Sequence, residues 1–343
     1  METVVVDQVH HLSIKKQRIP KLNSDEVLIK VSMAGICGSD IHAFNGNHPF
    51  RIPPVSIGHE LSGEIVEIGS RVRYINKGSR VSVIPQLGCG GCRYCKSDQK
   101  NLCVARRAPG VNEWLGTMAE YFIAPVSSVI ELPQSISHKA GVMLEPLAVG
   151  FHAVDQAEIN ENDKVAILGA GPIGLVTLLA SISKGAKQNL ITDVRNYPLE
   201  VGAKLGAQYT VDITKYDNWI EAAMEKVEDS FDKVIIATEA PDIINQALHL
   251  TAKGGKIVIV AMFNEKQSVK INDLQGKEKE IIGCMTYHHQ DFEEAVKFLG
   301  SGSSNIASVE NIISHVLPYR EAQKGFEMAA QSKEDVLKVI LSF

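Results

Sequence analysis

Four of the six cysteines crowd together: Cys89, Cys92, Cys95 and Cys103 fall in one glycine-rich stretch, while Cys37 and Cys284 stand alone. Thiols at such short spacings let consecutive turns close a tetrahedron around one zinc ion, and four protein ligands leave no place open for a substrate. The expected job of this metal is to hold a lobe. An iron–sulfur cluster also uses closely spaced cysteines, and unliganded core thiols are the bland alternative.

A second pattern lies further on, where Lys164-Val165-Ala166-Ile167-Leu168 runs into Gly169-Ala170-Gly171-Pro172-Ile173-Gly174 and then into the helix-compatible run Leu175 to Lys184. Glycines at a strand-to-helix junction let the chain turn tightly, let backbone approach a pyrophosphate, and let helix pack on strand, with the helix N-terminus facing the anion. The next strand ends at Asp193, where a carboxylate accepts the adenosine ribose hydroxyls and repels a 2′-phosphate, so NAD is expected over NADP. Arg195 works against that preference, either by stacking on adenine or by tolerating a phosphate; its bland reading is a solvated surface residue.

The elements that must position these residues change character along the chain. From Glu26 to about Pro133, short apolar or alternating segments such as Val27–Val31, Glu64–Ile68 and Arg80–Ile84 are punctuated by glycine and proline, which predicts a mostly β half. After Pro146 strands alternate with helix-length segments: 164–168, 189–193, 209–211, 233–237, 256–261 and 280–284 are the expected strands. That alternation implies a doubly wound parallel sheet, an α/β fold of the Rossmann kind. The last stretch, from Gln290, carries two expected helices, 291–299 and 319–330, and one strand, 336–342.

At 343 residues the chain is long enough for two domains. A formal charge of −5 and the lack of a basic block interleaved with aromatics exclude a nucleic-acid partner. No apolar run is long enough to cross a bilayer, and the first residues have neither the basic start nor the apolar block of a signal peptide, so no membrane partner and a cytoplasmic location are expected. His10, His11, His288 and His289 come in pairs without further ligands, and such pairs are usually surface or satisfied core.

Taken together, Gly35-Ile36-Cys37-Gly38-Ser39-Asp40-Ile41-His42, Gly58-His59-Glu60-x-x-Gly63 continuing through Gly69 and Val72, the four-cysteine lobe, Glu145-Pro146 and the glycine loop resemble the zinc-containing medium-chain dehydrogenase family. The branch is that of the sorbitol, threonine and sugar-acid (L-gulonate or L-galactonate) dehydrogenases, and the motifs stand in family order over nearly the whole chain. The resemblance implies a GroES-like β-rich catalytic domain over residues 1–150 with both zinc sites, a Rossmann NAD-binding domain over 151–287, and a return to the catalytic domain over 288–343. It also implies a homodimer or homotetramer.

Spacing alone does not pair Cys37, His59 and Glu145. The resemblance makes them the catalytic zinc ligands, with Glu60 a neighbouring carboxylate able to approach the metal, Asp40 orienting His59, and Ser39 and His42 a proton relay. The bland reading of Ser39 and His42 is turn capping. Three ligands and one open position are what a catalytic zinc needs to bind a substrate oxygen. Two departures from the family stand out: Asp98 where glycine is common in the cysteine lobe, and Pro198 where a basic residue often contacts adenine.

The implied reaction is hydride transfer from a secondary alcohol of a small hydroxylated substrate to NAD, with two zinc ions per chain. The substrate expected is a hexonate, for which Arg51, Arg106 and Arg107 are candidate cations; a polyol or L-threonine is the alternative. From other classes, a non-catalytic NAD redox-state binding protein would keep the glycine loop without need of an open metal site, and a zinc-scaffolded interaction module would explain the cysteine lobe alone.

Overall fold

The computed structural model describes residues 1–111, 114–331 and 335–343. The chain divides into two compact units, Met1–Glu145 with His288–Phe343, and Pro146–Tyr287. The first junction falls between Glu145 and Pro146, inside the helix Leu144–Ala157 that also contains the expected boundary at 150.

The first unit is built on a seven-stranded sheet with the path Ile313–Pro318, Lys338–Ser342, Glu26–Gly35, Glu60–Ile68, Arg80–Val83, Val129–Glu131, and with Tyr121–Pro125 also paired to Glu26–Gly35. A three-stranded sheet of Glu2–Gln8, His11–Lys16 and Val55–Ser56 accompanies it. Alternation decides which side is covered: Val27, Ile29 and Val31 point one way along their strand and join Leu61, Ile65 and Phe122 in one apolar core.

Register in this sheet sets the chemistry. Gly35 pairs with Glu60 on one side and with Ile340 on the other, both antiparallel. Three segments remote in sequence are thereby stitched at one point. Lys338 and Ile340 lie on the same face of their strand because side chains repeat every two residues.

The second unit is a six-stranded sheet in the order Tyr209–Asp212, Gln188–Asp193, Lys164–Leu168, Phe231–Ile236, Thr251–Ile259, Glu280–Gly283. Every neighbouring pair is parallel. The strand order reverses between Lys164–Leu168 and Phe231–Ile236, and a dinucleotide binds beyond the C-terminal ends of the strands at such a switch point. The helix Pro172–Ser183 follows the first strand and buries Leu175, Val176, Leu178 and Leu179.

In the tail the helix His289–Gly300 and the helix Ala322–Gln331 stand where expected, but a helix Ser303–Glu310 and a strand Ile313–Pro318 were not anticipated. Gly302-Ser303-Ser304-Asn305 reads locally as loop, and the helix there stands at the end of the neighbouring one, where Asn305 Nδ2 donates to the Phe298 carbonyl at 2.9 Å. Tertiary contact overrides weak local propensity. Among the described residues no helix is long and apolar enough to cross a membrane.

Candidate active site

Cys37 caps the short helix Gly38–Phe44, which carries Ser39, Asp40 and His42. One oxygen of Asp40, Oδ2, accepts the Cys37 N–H at 3.1 Å, and the other, Oδ1, accepts the Gly58 N–H at 3.2 Å and lies 3.5 Å from His59 Nδ1. A single carboxylate thus ties the helix start to the turn that presents His59. Asp40 is fully buried, which pushes its carboxyl up, yet the charge of and hydrogen bond from His59, with Arg51 behind them, hold it down at about 2. For His59 burial pushes the imidazole down, and Asp40 and Cys37 more than reverse this, leaving its pKa well above the ordinary value. Nδ1 of His59 faces the Asp40 carboxylate at 3.5 Å, and a carboxylate so placed behind a ligating histidine raises its basicity.

The ligand atoms of Cys37, His59 and Glu60 all lie within 4.8 Å of one another. This differs from the expected set in one member: the carboxylate that joins Cys37 and His59 is Glu60, and not Glu145. The strand register explains it, because Glu60 immediately follows His59 and faces Gly35 across the sheet. Glu145 is buried at the start of its helix, and its charge is felt at Lys338. A thiolate, an imidazole and a carboxylate converging in a buried place are a donor set that suits zinc.

Lys338 is the residue that sequence reasoning missed. Its Nζ donates to Glu60 Oε1 at 2.6 Å and lies 2.5 Å from Oε2, with the two side chains 3% and 1% exposed. Burial pushes the ammonium down, and Glu60 first, then Cys37 and Glu145, more than reverse this, so its pKa stands above the ordinary value. A Cβ on Gly35 would come 1.8 Å from Glu60 Oε2. Only glycine leaves room for the carboxylate beneath it. The signal in the sequence was a lone lysine in the apolar run Leu337 to Leu341.

Ser39 is half-buried and lies three residues before His42 on the same short helix, so the two share a face. Arg51 is buried, donating from Nη2 to the Pro109 carbonyl at 3.0 Å and from Nη1 to Ser39 Oγ at 3.3 Å. Of the other arginines considered for substrate, Arg106 donates to the Asn101 carbonyl at 3.4 Å and Arg107 is exposed in the cysteine lobe.

In that lobe the sulfurs of Cys89, Cys92, Cys95 and Cys103 also converge within 4.8 Å. A tetrahedral zinc with bonds of about 2.3 Å sets its sulfurs about 3.8 Å apart. Cys92 and Cys95 stand 3.6 Å apart, and Cys89 and Cys95 4.0 Å. The four residues therefore fit one ion. The backbone N–H of Cys95 holds the Cys92 thiol down at about 6, while burial pushes Cys95 up to about 11. Asp98 takes a left-handed conformation, φ +58°, which accounts for glycine being common there.

In the second unit Gly171 caps the helix Pro172–Ser183 with Pro172 at its first turn. A Cβ on Gly174 would fall 1.8 Å from the Gly169 carbonyl, whereas one on Gly171 would meet nothing within 4 Å, the open side that a pyrophosphate needs. Ile173 is half-buried beside them. Asp193, at the tip of its strand, accepts the Ala170 N–H at 2.9 Å through Oδ2 and the Val194 and Arg195 N–H groups at 2.9 and 3.0 Å through Oδ1. Arg195 Nε also lies 3.4 Å from Asp193, and Pro198 is buried within the helix Asn196–Lys204.

A thiolate–imidazole–carboxylate donor set in one unit and a glycine loop with an acidic strand tip in the other define a zinc- and nicotinamide-dependent dehydrogenase. Residues 23–134 match the alcohol dehydrogenase GroES-like domain and residues 172–301 the zinc-binding dehydrogenase model. The chain is 34% identical to an uncharacterized zinc-type alcohol dehydrogenase-like protein of Escherichia coli, YdjJ, over 96% of this chain and 95% of that protein. It is 30% identical to the sorbitol dehydrogenase of Bacillus subtilis, over 99% and 97%. The crystal structure of L-idonate 5-dehydrogenase from E. coli superposes with a TM-score of 0.90 at 27% identity, covering 100% of this chain and 98% of that one. The chain belongs to the zinc-containing medium-chain dehydrogenase family, in its sorbitol and sugar-acid branch. It is an enzyme acting on a CH–OH group of a polyol or sugar acid, and the reading as a non-catalytic binding protein is set aside.

Proposed function

We propose that this protein oxidises a secondary alcohol of a sugar acid, a hexonate such as L-gulonate or L-galactonate, to the ketone with NAD as hydride acceptor. The observation that carries the reading is the convergence of Cys37, His59 and Glu60, with Ser39 two residues beyond Cys37 and His42 one turn after Ser39. When bound, zinc supplies the acidity: it lowers the pKa of bound water from about 15.7 to about 7 and acts comparably on an alcohol. NAD, when bound, would supply the hydride acceptor. The remaining steps belong to the chain. Cys37, His59 and a glutamate hold the ion, Asp40 keeps the His59 ring in one tautomer, Ser39 receives the hydroxyl proton, and His42 passes it towards solvent. The alcohol loses one hydride and one proton, giving ketone, NADH and H⁺. The cysteine lobe holds a second, structural zinc, and a cytoplasmic homodimer or homotetramer remains the expected form.

The carboxylate at Asp193 supports NAD over NADP. Likeness to an L-idonate 5-dehydrogenase supports hexonates. A neutral polyol is the second reading, favoured by Arg51 being engaged internally with Ser39 and Pro109 and so not standing free to meet a substrate carboxylate. The deciding experiment is NAD reduction by zinc-replete protein over hexonates, hexitols and L-threonine, with zinc counted on the same sample. Two zinc per chain and fastest turnover of a hexonate are expected. Faster turnover of sorbitol than of L-gulonate rejects the sugar acid, and one zinc per chain rejects the catalytic metal.

A further inference from the structure

Arg51 lies in the loop between the helix Gly38–Phe44 and the strand Val55–Ser56. Its backbone N–H and that of Phe50 both donate to His48 Nδ1, at 3.1 and 3.3 Å. This knot turns the chain so that Phe50 and Ile52 face outward, 53% and 70% exposed, while the Arg51 side chain between them goes inward and is 6% exposed.

The guanidinium is poorly provided for. Nε is buried without a partner, Nη2 has the Pro109 carbonyl, and Nη1 has Ser39 Oγ at 3.3 Å with Asp40 Oδ1 at 3.8 Å. A buried cation with an orphan donor and its carboxylate beyond hydrogen-bond range is a stability liability that an apolar side chain of similar length would avoid. A cation in so poor a place points to what it does to a neighbour.

The neighbour is Ser39. Arginine only donates, so the contact between Nη1 and Oγ has a fixed direction and occupies one of the two lone pairs of the hydroxyl. What remains is one lone pair and one hydrogen. A one-way proton relay needs that combination: an acceptor site towards the alcohol and a donor site towards the next group.

We propose that Arg51 is a positioning residue that locks the Ser39 hydroxyl in the orientation for proton transfer, by donating from Nη1 to Oγ. The inference rests on the reading of Ser39 as the relay group. As the substrate hydroxyl gives its proton to the open lone pair, the hydrogen already on Oγ leaves towards His42, and no net charge stays on the serine.

The test is a double-mutant cycle of Arg51→Met and Ser39→Ala, with NAD reduction measured on L-gulonate, or on sorbitol if that is faster, alongside NADH affinity by fluorescence and zinc per chain. Arg51→Met is expected to lower kcat by about 10- to 100-fold, to leave KM, NADH affinity and zinc content unchanged, and to have no further effect once Ser39 is alanine. An equal loss in the Ser39→Ala background shows a purely structural role and overturns the proposal, as does loss of zinc, which would mean action through Asp40 and His59. If Ser39→Ala turns over like the parent, the relay reading itself fails and takes this inference with it. Should Arg51→Met not fold, Arg51→Lys, which keeps charge and bulk but offers one nitrogen, is run through the same cycle, with a smaller loss that again vanishes without Ser39.

Discussion

Two glutamates compete for one role, and side-chain placement separates them. Glu60 lies in the donor set with Cys37 and His59 and is braced by Lys338, whereas Glu145 lies outside that set. Glu60→Ala should therefore lose catalytic zinc while the four-cysteine zinc stays, so that metal analysis falls from two ions per chain to one. Glu145→Ala should retain both ions at neutral pH. The reverse result would restore Glu145 as the ligand. His48 gives a pH dependence of the fold. Burial first, then Arg51, lowers its pKa to about 4, so the folded protein keeps this imidazole neutral where the unfolded chain protonates it near 6.5. The unfolded state then binds more protons, and stability falls as pH drops from about 6.5 to about 4. His48→Asn, whose Oδ1 can still accept from the loop, should show a shallower decline in Tm over that window than the parent.

At the scale of elements, the glycine loop is the most demanding piece of geometry. Gly174→Ala would drive a Cβ into the Gly169 carbonyl at 1.8 Å, so the helix Pro172–Ser183 must shift off the sheet. NADH affinity measured by fluorescence is expected to fall by at least tenfold, about 1.4 kcal/mol, with zinc content intact. This loop was legible in the sequence because its function is local: strand, turn and helix are contiguous and each glycine has its own steric task. The cysteine lobe was legible for the same reason. The group formed by Cys37, His59 and Glu60 was not. Cys37 and His59 emerged only through family likeness, and Lys338 did not emerge, because what joins them is the pairing of Gly35 with Glu60 and Ile340, and register between distant strands leaves no local pattern. The strand Ile313–Pro318 was missed because it mixes buried and exposed residues without alternation.

At the scale of the whole molecule, the four-cysteine group and the group of Cys37, His59 and Glu60 belong to the unit formed by Met1–Glu145 and His288–Phe343, and the glycine loop to the other. Metal and nucleotide should accordingly stabilise different parts. Stripping zinc with a chelator is expected to lower the unfolding temperature of the first unit, while added NADH still raises that of the second, giving two separable calorimetric transitions where the loaded protein shows closer ones. A single transition that moves as one under both treatments would reject independent stabilisation.

The ion pair between Glu60 and Lys338 spans 278 residues of chain. A ribosome adding roughly 5–20 residues per second needs about 14–56 s to travel that distance. Throughout that interval the nascent chain already holds Cys37, His59 and Glu60, but the ammonium that will clasp the glutamate has not been synthesised. Birth order thus separates the appearance of the donors from the arrival of their counter-ion.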